Sequence, residues 1–213
     1  MHNEPAVIAT APQPGHYDID PDRSRVTFAT RHLFGLGRVK GSFGIRGGTA
    51  DVADPVAASV IYAEIETASF RTKNRQRDHA VLSPRFLDPA GHPVMTFRSD
   101  RIEAGPSGGS RGVVPSGQQG QGPVTKERGL EPSGGSRGVV PSGQQGQTLT
   151  GTLMVRGTAR PVTLTVNRCE VSRGSFTVRA TARIDRTEFG ITAARGLAAR
   201  YLDLTVEAQC TRN

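Results

Sequence analysis

The residues best equipped for chemistry in this 213-residue chain crowd between Ser69 and Phe97. Five cations fall there within fifteen positions: Arg71, Lys73, Arg75, Arg77 and Arg85, with Asp78, His79 and His92 beside them. Side chains of this kind pair with phosphate or carboxylate groups. The same spacing also suits a solvated helix face, with Arg77–Asp78 and Arg85–Asp88 as local pairs. Asp78 and His79 supply an acid and a base. Neighbours on a helix diverge by about 100 degrees, however, so the two would not address one substrate.

Other reactive residues are scattered. A metal site needs three or four converging ligands, and neither His16 to His32 nor His79 to His92 has a zinc-like spacing. His32 ends an apolar alternation and reads as a capping or hydrogen-bonding residue. Cys169 and Cys210 are too few for a disulfide framework and lie outside any CxxC motif, so free thiols in a reducing compartment are expected. No GxSxG, HExxH or P-loop signature occurs. The expectation is a protein that is not an enzyme, with no catalytic residues, no metal and no resident cofactor.

The elements that must position these residues alternate apolar and polar side chains, the signature of half-buried strands. Val26, Phe28 and Thr30 begin the series. Gly37–Arg46, Ile61–Ile65 and Val94–Arg101 continue it. Thr148–Arg156, Val162–Val166, Phe176–Ile184 and Leu202–Ala208 complete it. Gly157 to Pro161 reads as a turn. Some eight alternating strands and one helical crossover predict an all-β, antiparallel barrel or sandwich. Eight strands is also the size at which a closed barrel either fills with side chains or holds one small ligand. The inward set mixes Ala, Gly and Val with few Phe, which leaves room.

Two stretches break the pattern. Residues 1–16 are Pro- and Ala-rich and read as a loose tail. Residues 104–147 carry PSGGSRGVVPSGQQGQ twice, at 106–121 and 132–147, and cannot bury enough apolar surface to order themselves. The second stretch reads as a disordered insertion born of a tandem duplication, or as a docking segment using Arg111 and Arg137.

The net charge of +8 points to anionic partners, whether nucleic acid, acidic lipid or a phosphorylated headgroup. A nucleic-acid binder would show aromatics interleaved with cations on exposed faces. Here Phe28, Phe43 and Phe176 share faces with aliphatics, so no nucleic-acid partner is expected. No apolar run reaches the roughly 18 residues of a membrane helix. The N-terminal residues lack the basic and apolar regions of a signal peptide, so a cytoplasmic location is expected.

The segment from Ser69 to Phe97 closely resembles the crossover of the YceI-like family of lipid- and polyisoprenoid-binding proteins, some of whose members are secreted. Leu149–Leu164 (LTGTLMVRGTARPVTL) is similar to that family's "LTGxLTIRGxTxPVxL" hairpin, and Arg186–Gly190 to its "R(S/T)xFG" element. Tyr17–His32 resembles its opening strand, with Arg23 where the family usually shows His. The resemblance spans about 17–103 and 148–211. It implies an eight-stranded, lipocalin-like barrel over 17–213, interrupted by the insertion. It further implies non-catalytic binding of a polyisoprenoid, isoprenoid quinone or fatty-acyl lipid.

On that reading the ligand contacts the inward apolar set: Val26, Phe28, Val39, Phe43, Ile61, Ile65, Phe97, Leu153, Val155, Leu164, Phe176, Val178, Leu204 and Val206. Some of these would instead seal the barrel floor. Arg71, Lys73, Arg75, Arg77 and Arg85 would form a rim for the headgroup. The expected partner is a hydrophobic small molecule, with room left for transient contact with a membrane surface and for a homodimer. The competing reading is a plugged barrel acting through its surface or its insertion.

Overall fold

Alternation is realised as burial along nearly every predicted strand. Val26 and Phe28 turn inward while Arg25 faces solvent, and the same rhythm runs through Met95, Phe97 and Ser99. The computed structural model describes residues 11–32, 37–103, 146–193 and 199–213. Its strands are β1 (Gly15–Ile19), β2 (Arg25–His32), β3 (Gly37–Val52), β4 (Val60–Glu66), β5 (Arg71–Thr72), β6 (Val94–Glu103), β7 (Gln147–Val155), β8 (Thr158–Ser172), β9 (Ser175–Asp185) and β10 (Tyr201–Arg212). A seven-residue helix, α1 (Arg75–Val81), follows β5.

The strands close on themselves. Their order is β2-β3-β4-β6-β7-β8-β9-β10, and β10 pairs again with β2, so eight antiparallel strands make a ring. Closure removes the free edges that an open sheet would expose. Register shifts at Ile45/Gly47, Ser99/Arg101 and Val166/Arg168 are the bulges that bend β3, β6 and β8 around the ring.

The first stave of the ring is built in two lengths. β2 pairs with Asp203–Glu207 of β10, whereas β1 pairs with Cys210–Arg212 of the same strand. On the other side β1 meets Thr49–Val52 of β3, well beyond the Gly37–Gly44 stretch that holds β2. Between the two lengths, Asp20 Oδ1 accepts from the backbone N–H groups of Asp22 and Arg23 at 2.9 and 3.2 Å, a local turn that re-aims the chain.

Several boundaries differ from the sequence reading. β1 begins at Gly15, inside the span read as a tail, because pairing with β3 and β10 supplies order that local composition does not show. β3 runs on to Val52. Pro161 sits within β8 opposite Thr152, not in a turn. The turn itself is only Arg156 and Gly157, both at positive φ (51 and 72 degrees), the geometry of a two-residue hairpin loop. The span 104–147 lies outside the described residues except for Gly146 and Gln147, and so do tail residues 1–10.

Candidate ligand-binding site

The ring encloses a cavity of about 550 Å³, and all eight ring strands contribute to its wall. This falls within the range of roughly 300–1,000 Å³ typical of ligand pockets. Three aromatic rings form one side. Phe28 stacks on Phe70 with centroids 5.4 Å apart, and Phe43 tilts against both at 5.8 and 5.3 Å. Among the described residues of the wall, only Thr30, Arg77 and Arg186 are polar.

One end of the ring is sealed. There Tyr17 and Phe176 meet edge to face at 5.0 Å, packed with Ile19 and Cys210. A second cluster joins Ile102, Leu149, Val166 and Ala180. The cavity lies toward the other end and is bordered by the crossover. Ala80, Val81, Phe86 and Leu87 face it from α1 and the turns that follow. Arg156 Nη2, from the β7–β8 turn, donates to the Pro84 carbonyl at 3.2 Å and ties this segment to the barrel.

Opposite, Arg186 holds the loop that leads into β10. It is only 8% exposed, and its guanidinium donates to the carbonyls of Ile191, Ala193 and Ala199 at 2.5, 2.9 and 2.8 Å. A buried cation is tolerated only when polar groups replace its water, as these carbonyls do. The preceding residue, Asp185, takes hydrogen bonds from the Thr187 N–H and hydroxyl and from Arg200 Nε. Burial pushes the Asp185 carboxyl up, but the Thr187 and Arg200 bonds outweigh it and hold the group below its ordinary value.

Eleven of the fourteen apolar residues read as ligand contacts stand at the cavity wall. Phe176 belongs to the sealed end, and Ile61 and Val178 pack against both core clusters. Of the five cations read as a headgroup rim, Arg77 reaches the cavity, whereas Arg71, Lys73, Arg75 and Arg85 are exposed. The local pairs Arg77–Asp78 and Arg85–Asp88 do not form. Asp78 Oδ1 instead accepts from the N–H and hydroxyl of Thr72 at 2.8 and 2.7 Å, and Asp88 Oδ1 accepts from the Gly91 N–H. His79 is exposed, so it and the Thr72-bound Asp78 do not share a site. His16 lies on the outside, its Nδ1 2.5 Å from Asp51 Oδ1.

Sequence reasoning missed Met95, Val162, Ala182, Ile184, Leu202 and the crossover apolar residues as parts of the wall. Most lie on strands whose alternation already signalled an inward face. Arg186 was missed for another reason, since an arginine in a loop ordinarily reads as solvated.

A closed ring of eight strands around an apolar chamber defines the class of this protein. A YceI-like domain model matches residues 17–210, and the chain belongs to that family. Two solved structures share the fold. Burkholderia cenocepacia BcnA is 17% identical with a TM-score of 0.63, over 91% of this chain and 99% of that one. A polyisoprenoid binding domain from Saccharophagus degradans, described as implicated in plant cell wall breakdown, is 12% identical with a TM-score of 0.55, over 92% and 98%. Among curated proteins nothing matches the chain.

Proposed function

We propose that this protein binds one long apolar molecule, a polyisoprenoid, an isoprenoid quinone or a fatty-acyl lipid, inside the barrel and carries it without chemical change. The observation that supports this most is the cavity of about 550 Å³ with its almost wholly apolar wall. Each methylene moved from water into such a space contributes roughly 0.8 kcal/mol. Ten would supply about 8 kcal/mol before the costs of association and ordering. Tail length, more than tail chemistry, then sets affinity. The similarity to a polyisoprenoid binding domain points the same way.

The non-catalytic part of the reading rests on the wall's chemistry. Among its described residues are no His, Cys, Ser, Asp or Glu to act as nucleophile or base. A plugged barrel working only through its surface fits poorly with a cavity of this size. The cytoplasmic location stays part of the proposal, and the two cysteines, both directed inward, are free thiols. Cys169 and Cys210 pair with Val178 and Phe176 of the intervening β9, so they stand two strand spacings apart. That is roughly 10 Å, beyond disulfide reach.

Native mass spectrometry of the purified protein, followed by organic extraction, tests the proposal. Bound apolar mass is expected, and Ala182→Trp, which fills the cavity from its wall, is expected to lose it while remaining folded. A folded wild-type protein that neither copurifies with nor takes up any long-chain probe would overturn the reading.

A further inference from the structure

Building on the apolar-guest reading, we infer that the cavity selects a guest whose polar end is an oxyacid anion, a carboxylate or a phosphate, and that Arg77 pairs with it. The wall holds two cations. Arg186 already serves the carbonyls of the loop before β10. Arg77 is half-buried at the cavity's border, and none of the ion pairs among the described residues includes it.

Its guanidinium is poorly served by the protein itself. Nη1 lies 3.4 Å from Thr72 Oγ1, longer than an ordinary N–H···O bond. A guanidinium carries five N–H donors in a planar fork. Asp78, one residue along, makes no direct ion pair with it: the two groups meet only through the Thr72 hydroxyl. What remains is a partly desolvated cation against hydrocarbon. A carboxylate or phosphate meets its fork with two parallel bonds and cancels its charge, which the neutral oxygen of an alcohol or quinone does not do. The position is fixed by the chain: Asn74 Oδ1 caps α1 by accepting the Arg77 backbone N–H at 2.9 Å, setting where the side chain leaves the helix.

The test uses the full chain stripped of bound lipid and two tail-matched pairs: hexadecanoate with hexadecanol, and geranylgeranyl phosphate with geranylgeraniol. The wild type is expected to bind at least one acid about tenfold or more tightly than its alcohol. The pair with the larger preference names the headgroup. Arg77→Gln is expected to erase the preference and leave the alcohols unchanged, which also shows that the variant is folded; Arg77→Lys should keep part of it. Inorganic phosphate should not displace the acids, and displacement would mark a site for a free anion and overturn the inference. Equal binding of acid and alcohol, or a preference that survives Arg77→Gln, overturns the inference and leaves the apolar-guest reading standing. If no member of either pair binds, both fall.

Discussion

The ring of Phe28 lies over Gly41, its cross-strand partner, so closely that a Cβ on Gly41 would sit 2.3 Å from the ring edge and 2.5 Å from the Arg71 carbonyl. The glycine makes room for an aromatic that lines the cavity. Gly41→Ala is therefore expected to destabilise the barrel by about 1–3 kcal/mol through overpacking. Thermal unfolding should show this as a drop of roughly 2–12 °C for a chain of this size. Adding Phe28→Leu should recover part of the loss, since the two residues couple directly. An unchanged midpoint in Gly41→Ala would show that the close approach is not a constraint.

Glu103 and Thr148 face one another where β6 and β7 leave the ring, so the strands are already side by side at that point. Excising residues 104–145 joins them through Gly146 and Gln147, a Gly-first pair suited to a two-residue hairpin. The shortened chain is expected to keep its fold and its affinity for apolar probes. Shorter loop closure should raise stability by up to about 3 kcal/mol. Loss of probe binding in a folded, excised chain would assign the segment a part in binding.

The Asp185 carboxyl, held below its ordinary range, gives a signed dependence on acid. A depressed value contributes stability that is present above the unfolded value of about 3.9 and is lost as pH falls through the folded one. Near neutrality Asp185→Asn should melt several degrees below wild type, because its hydrogen bonds from Thr187 and Arg200 weaken. Below about pH 4 the two melting curves should begin to approach one another, meeting only once pH has passed below the folded-state value. Parallel curves across the whole range would show that the charge of Asp185 is not what the fold uses.

Burial pushes the thiols of Cys169 and Cys210 up to about 11 and about 12. Thiolate is the reactive form, so native labelling by a disulfide reagent near pH 8 should run at least about 100-fold slower than for an ordinary cysteine. Both should react promptly in denaturant. Rapid labelling of either in the folded state would mean that the sealed end opens.

The ring itself was legible because period-2 alternation reports which way each residue points. Val26, Phe28, Leu153 and Leu204 were found for that reason. Alternation says nothing about height along the barrel axis, so Phe176 and Val178 looked equivalent to Leu164, though the cavity ends before reaching them. The five cations of the crossover were likewise indistinguishable by type. Only the cap at Asn74 and the seating of α1 against the barrel bring Arg77, and not Arg75 or Lys73, to the cavity. Arg186 was legible as the first residue of a motif but not as part of the wall, because its partners are backbone carbonyls of a loop, which carry no side-chain signature.

A chamber walled almost entirely by hydrocarbon has a consequence for unloading. To a greasy chain, such an interior and the middle of a bilayer are nearly the same solvent, so moving between them releases or absorbs little free energy. Passing through open water would instead cost roughly 0.8 kcal/mol for every methylene wetted on the way. If the protein carries such a guest, as proposed, the cargo would change hands by collision between two oily phases and stay put during diffusion.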